Sequence, residues 1–266
     1  MAYYFPFGQE LHPVVQTDRS PKKVFVLGVY ASAVHARWIN PAKSKRPICN
    51  ALAVASEPRI FWDGNEDEAR EIIEKIPFPK ELGRLEPAVI RKKDGTVINL
   101  NGPSAKALDE NILVPLGFTR KDSWLCDLLP EARLNAGQVK AIKRAYEPIR
   151  TQYSLNEVTV PNRPNAFCNK IRCREIIAEL MQSEAELLVL LGDIPIKQFL
   201  KKAADISYAS LQEYVDMFGY GTRTEAVING RKLQVLPLAH PRWIAGMDGP
   251  DGKWTKIHNE WENSLK

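Results

Sequence analysis

The sequence is poor in the residues that build metal centres and disulfide frameworks. Its 266 residues include four cysteines (Cys49, Cys126, Cys168, Cys173) and four histidines (His12, His35, His240, His258). No two cysteines form a CxxC pair, and several sit in apolar or helical runs, where a buried free thiol is the ordinary state. No HExxH occurs and the histidines are scattered, so no metal and no cofactor is expected. By count the four cysteines could hold an iron–sulfur cluster, but Cys126 falls inside an apolar strand beside Asp127. No apolar run approaches the ~18 residues of a membrane span. The start, residues 1–16, has no basic segment followed by an apolar stretch, which argues against a secretory signal. Together with the thiols this leads us to expect a reducing, cytoplasmic setting and no membrane partner. Nucleotide-site and hydrolase signatures are absent too. There is no glycine-rich loop ending in Lys-Ser/Thr and no GxSxG, and Gly219-Tyr220-Gly221 lacks the third glycine of a dinucleotide fingerprint.

What is present reads as a folded enzyme-sized chain. Hydrophobic residues make up 44% and charged residues 26%, a composition that argues against disorder. The length suits a single domain over residues 1–266 with one sizeable core, expected to be a monomer. The net charge of +5 permits a polyanionic partner without requiring one. Arg37, Lys43, Lys45 and Arg46 lie in a stretch without acids that also holds Trp38, and Arg91-Lys92-Lys93 forms a second basic cluster. Standing alone, such clusters are better explained as solvated loops.

Five apolar runs read as strands: Val24–Tyr30, Ala51–Ala55, Trp124–Leu129, Glu186–Leu191 and Leu233–Leu238. Most are continuous, as in strands buried on both faces of a parallel sheet. Helical patterns fall between them at 66–76, 135–153, 165–181 and 195–204, and a terminal helix is expected over 251–264. Asn229-Gly230 in the middle of 224–238 predicts a hairpin with a tight primed turn. The alternation predicts an α/β fold: a three-layer α/β/α sandwich around a mainly parallel sheet of four or five strands.

In such a sheet, ligands bind beyond the carboxyl ends of the strands. The residues just past those ends are therefore the first candidates. They include Gly28 to Trp38, Glu57 to Gly64, Asp127, Gly192-Asp193 and His240-Pro241-Arg242-Trp243.

These strand ends carry a resemblance. Val24-Phe25-Val26-Leu27-Gly28 and its loop resemble the first motif of the uracil-DNA glycosylase superfamily. Leu191-Gly192 with the helix that follows is similar to that superfamily's late strand–glycine–helix unit. Leu238-Ala239-His240-Pro241 resembles its second motif, a strand ending in His-Pro. Order and spacing agree across Val24 to Trp243. The resemblance implies a metal-free glycosylase that flips a base out of DNA and hydrolyses its N-glycosidic bond. It implies His240 as the donor that stabilises the departing base, and an accessory role for His35 toward sugar, water or phosphate. The base pocket would be formed by Gly28, Tyr30, Ala31, Val54 and Asp127. Ser32, Arg37, Lys43, Lys45, Arg46, Arg242 and Trp243 would contact DNA, duplex or single-stranded. Trp243 or Ile244 would be the apolar wedge that props open the stack.

Departures from the family pattern point to an altered substrate. The first motif usually carries Asp or Asn just after its glycine; here Gly28-Val29-Tyr30-Ala31 has no carboxylate. Glu57 and Asp63 are the nearest acids that could activate water. The base-stacking Phe of the second strand is replaced by Val54. Asp127 stands where the family has a base-reading Asn. An ionised carboxylate only accepts hydrogen bonds, so it would repel O4 of uracil and suit the N4 amino group of cytosine. The small side chains of Ala31 and Val54 would admit a bulkier base. The expected activity is thus excision of a modified, cytosine-like base, as in antiviral glycosylases that act on modified phage cytosine. Asp127 as a helix cap or as a structural partner of an arginine stays open. So do two other functions: a member that has lost catalysis and only binds DNA, and an enzyme acting on a free nucleoside or nucleotide.

Overall fold

A computed structural model describes residues 2–91, 94, 97–246 and 252–266, of Arg91 only the backbone. Lys92 and Lys93 of the second basic cluster lie outside the described residues. Contacts divide the chain into two compact units. The first comprises Met1–Val14, Ala31–Pro103 and Glu131–Pro164; the second comprises Val15–Tyr30, Ser104–Pro130 and Asn165–Lys266.

The second unit is a mostly parallel five-stranded sheet flanked by helices, an α/β sandwich. Its strands, numbered in chain order through both units, are β1 (Val24–Tyr30), β7 (Ser123–Leu129), β8 (Leu187–Leu191), β9 (Thr224–Ile228) and β10 (Arg231–Leu238), in the order β7-β1-β8-β10-β9. Only β9 runs antiparallel. β1 and β8 are continuous apolar runs because neighbours pair on both edges and side chains are covered on both faces. The β9–β10 hairpin turns at Asn229 (φ 51°) and Gly230 (φ 79°), the two positive φ values of a primed turn. α5 (Lys170–Gln182) packs on β7, and α8 (Leu211–Phe218) on β10. The helical stretch after β8 is made of α6 (Asp193–Pro195), a wider turn at Ile196–Leu200 and α7 (Lys201–Ala203). α9 (Pro241–Ile244) follows β10 and meets the terminal helix α10 (Lys253–Ser264). α2 (Pro103–Leu108) lies where the chain passes into this unit.

The first unit holds a three-stranded antiparallel sheet, β3 (Cys49–Ser56), β2 (Ala33–Ile39) and β4 (Arg84–Pro87), in the order β3-β2-β4. It also contains the hairpin β5 (Val89–Arg91) and β6 (Val97–Asn99), and helices α1 (Glu66–Glu74), α3 (Ala136–Ala145) and α4 (Glu147–Arg150). Phe7, Trp38, Leu52, Val54, Trp62 and Tyr146 lead its core. Phe7 meets Trp38, Phe78 and Tyr146 edge-on, and the Trp38 indole N–H donates to the Leu82 carbonyl at 2.8 Å.

Three sequence expectations are corrected here. The run at 51–55 is a strand, but it belongs to the antiparallel sheet. Leu52, Ala53 and Val54 are all fully buried, so its apolar continuity could not separate the two sheet types. The segment expected as a loop or first helical turn around His35 is the strand β2, in which half-buried His35, Arg37 and Ile39 alternate with buried residues. The long helix expected over 135–153 is broken at Tyr146 into α3 and α4. Pro148 has no N–H to give to the carbonyl four residues back.

Candidate active site at the ends of the parallel strands

Four adjacent parallel strands of the second unit present their carboxyl ends together. Asp127 lies in the buried part of β7 and stands in register with Gly28 of β1, which has no side chain. Leu191 of β8 is in register with Leu238 of β10, and His240 lies two residues further on. At about 4.8 Å per strand spacing, β7 and β10, the outer two of these four strands, are roughly 14 Å apart.

Asp127 is only 4% exposed. On the same strand, the Trp124 indole donates to Glu179 (3.1 Å) and Arg172 Nη2 lies 3.3 Å from Cys126 Sγ, so Trp124 and Cys126 face α5. Side chains alternate along a strand, which turns Asp127 to the opposite face. Arg172 also donates to the backbone carbonyls of Asp127 (2.8 Å) and Leu128 (3.2 Å). Sequence reasoning missed Arg172. Its one local signal is Asn169, whose side chain accepts from the Arg172 N–H at 2.8 Å and starts α5 there.

His240 is the residue before α9 and caps it. Its Nδ1 accepts the Arg242 N–H at 3.1 Å. That bond needs an unprotonated Nδ1, so the neutral ring carries its proton on Nε2, a hydrogen-bond donor. Gly192 approaches closely: its N–H donates to Leu238 O at 2.8 Å, and a Cβ there would lie 3.3 Å from the His240 Cβ. Its φ of +85° is in the left-handed region. Both motif residues are thus tied to one another at the sheet end.

Trp243 lies edge-on to the His240 ring (centroids 6.4 Å apart) and stacks on Trp254 of α10 at 6.4 Å and 12°. Arg242 is exposed and Trp243 half-buried. Ile244 is 6% exposed, packed inward rather than presented as a wedge. At the end of β1, half-buried Tyr30 stacks on Phe167, centroids 5.9 Å apart and planes at 11°. Phe167 was not anticipated as a site residue; it falls in the helix expected over 165–181, which begins only at Lys170.

The remaining predicted site residues belong to the first unit. Ala31 and Val54 are 1% and 0% exposed, and Val54 is part of that unit's apolar core. His35 lies inside β2. Its backbone N–H donates to Asn101 Oδ1 at 2.7 Å, and its carbonyl accepts from Asn101 Nδ2 and from the Ala88 N–H. Its Nε2 lies 2.8 Å from Gln138 Nε2, an amide donor, so Nε2 accepts. Burial pushes its pKa down to about 4, so the ring is neutral at pH 7. Arg37 is in the same strand, with Nε buried and unpartnered. Ser32, Lys43, Lys45 and Arg46 are exposed, the last three on the turn after β2. Of the two acids considered for water activation, Glu57 is 5% exposed and accepts the Ser32 N–H at 3.1 Å. Asp63 is held by Arg59 at 2.9 Å.

All four cysteines are free and buried. Among the described residues no three His, Cys, Asp or Glu side chains are grouped to hold a metal. Among them, too, no helix is long and apolar enough to cross a membrane. No protein-family model matches the sequence, and comparison with curated proteins finds no match.

Proposed function

We propose that the chain is a DNA glycosylase that flips out a modified, cytosine-like base and hydrolyses its N-glycosidic bond. The observation that carries this reading is the pairing of two groups at one sheet end. Asp127 is an acceptor on β7, and His240, past β10, carries its proton on Nε2 because Nδ1 accepts from the backbone. The resemblance of the three strand-end motifs to the uracil-DNA glycosylase superfamily supports the same reading.

The chemistry follows from those two groups. The carboxylate of Asp127 accepts the N4 amino hydrogens of cytosine and repels the O4 of uracil. The C1′–N1 bond breaks with its electron pair moving onto the base. Nε2–H of His240 donates to the base carbonyl oxygen, where that charge accumulates, so the bond strengthens as the C1′–N1 bond lengthens. Water adds to C1′; its oxygen stays on the sugar, and the proton it gives up finishes on N1 of the free base. The anionic base can thus take the proton that an acid in the first motif would otherwise manage. Arg242, exposed beside His240, grips a flanking phosphate.

The test is excision on duplexes and single strands that differ only in one base: uracil, cytosine, hydroxymethylcytosine or glucosylated hydroxymethylcytosine, read out by cleavage at the abasic site. Excision confined to cytosine-derived bases is expected. Asp127→Asn should move the preference toward uracil, because an amide can donate to O4; each well-made pair of this kind is worth about 1–3 kcal/mol of discrimination. His240→Ala should lower the rate at least about a hundredfold while leaving DNA affinity nearly unchanged. Excision of uracil by the unaltered chain would refute Asp127 as the reader. No excision of any base, with salt-sensitive DNA binding retained, would replace the reading by a non-catalytic DNA-binding protein.

A further inference from the structure

Behind His240 lies a partly buried chain of hydrogen bonds that the proposed chemistry does not use. The N–H of Ala239, the residue before His240, donates to the Tyr220 hydroxyl at 3.0 Å. The Tyr220 oxygen is 2.6 Å from His258 Nδ1, and His258 Nε2 is 2.8 Å from the Asn111 carbonyl oxygen. A carbonyl can only accept, so Nε2 carries the proton and Nδ1 of the neutral ring is bare. Tyr220 therefore donates to His258. The chain runs one way throughout, from Ala239 N–H through Tyr220 O–H and His258 N–H to Asn111 O.

Every part of it is held from outside. His258 is fully buried on α10, against the Trp261 ring at 4.9 Å. Burial also lowers its pKa, which keeps it neutral. Gly221, with φ +75°, sits so close to Trp261 that a Cβ would lie 2.0 Å from its Cδ1. The Tyr220-Gly221 turn is thus built onto the terminal helix. Tyr220 also meets Trp254, the ring on which Trp243 stacks. The backbone entering His240 and the tryptophan beside it rest on the same two elements.

We propose that Tyr220 and His258 are positioning residues for His240: they fix the Ala239 backbone and so set where the His240 ring presents Nε2–H. The inference rests on the reading of His240 as the donor, yet its first test needs no substrate. In the full-length protein, Tyr220→Phe removes one oxygen and leaves Ala239 N–H without its acceptor. Nitrogen-15 NMR of the His240 ring should show a single Nε2–H tautomer in the parent and a mixture in Tyr220→Phe. Hydrogen exchange at the Ala239 amide should rise about tenfold, as for one lost buried hydrogen bond. Unchanged ring signals and unchanged exchange would overturn the proposal. If Tyr220→Phe does not fold, His258→Phe, which strips Tyr220 of its acceptor, is judged by the same two signals.

Kinetics then separate positioning from general support. In Tyr220→Phe, kcat should fall on the order of tenfold with KM unchanged, and no further loss should appear when His240 is already alanine. An equal loss in the His240→Ala background would mean that Tyr220 acts elsewhere, against the proposal. A parent chain that excises no base counts against the glycosylase reading alone, because the NMR signals still decide whether Tyr220 sets the His240 ring.

Discussion

At the scale of single residues, the site depends on which proton each group carries. His240 and His258 are each made definite by one backbone partner, the Arg242 N–H on one ring and the Asn111 carbonyl on the other. One bond makes Nδ1 an acceptor and the other makes Nε2 a donor; both leave the same tautomer. Gly192 is the residue whose replacement tests this most simply. Its left-handed φ costs a side chain about 1–2 kcal/mol, and the added Cβ would press on His240 from 3.3 Å. Gly192→Ala should therefore lower stability by about 1–2 kcal/mol in urea unfolding and lower excision by more than that loss explains. A variant with normal excision and stability would show that the close approach of Gly192 to His240 does not matter. Position at a strand end suggested His240, Asp127 and Gly192. It could not reveal Arg172, Phe167, Tyr220 or His258, because each acts through a partner more than 15 residues away in sequence.

At the scale of elements, the parallel sheet was legible and the antiparallel one was not. β1, β7, β8 and the β9–β10 hairpin announce themselves through apolar continuity and the Asn229-Gly230 turn. β2 alternates, with His35 and Arg37 at every second position, as a half-buried strand does, but it begins three residues after β1 ends and so reads as that strand's loop. β3 is as apolar as a parallel strand because α3 covers it, so its sheet had to be seen rather than read. α3 itself begins at a capping box, in which the Asn135 side chain accepts the Gln138 N–H at 3.0 Å and the Gln138 side chain accepts the Asn135 N–H at 2.7 Å. The same Gln138 amide then donates to His35 Nε2. Asn135→Ala should cost about 1 kcal/mol for the lost cap. It should also release Gln138, so the His35 ring signals should shift in NMR. A loss of stability with unmoved His35 signals would separate the cap from the contact to β2.

At the scale of the molecule, buried neutral imidazoles predict how stability responds to acid. His35 has a folded pKa of about 4 against an ordinary 6.5, and His258 is lowered in the same direction, both through burial. Once unfolded, these rings take up protons below about pH 6.5 that the folded chain takes up only at lower pH. The contribution of His35 is thus complete above about 6.5 and is lost as the pH falls toward 4, and that of His258 is lost in the same direction. The strongly lowered carboxylates act in a different window. Asp18, held low by Lys22, and Asp122, held low by Thr119, lose their contribution only below the ordinary value of 3.8. Unfolding by urea at about pH 7.5 and about pH 5 therefore isolates the histidines. At 1.36 kcal/mol per pH unit, His35 alone should lower stability by about 2 kcal/mol between those two conditions. His35→Gln, which cannot take up the proton, should remove that part of the difference and leave the part due to His258. An acid loss of the same size in His35→Gln would mean that His35 is not a ring the fold keeps neutral, and the β2 environment described here would be wrong.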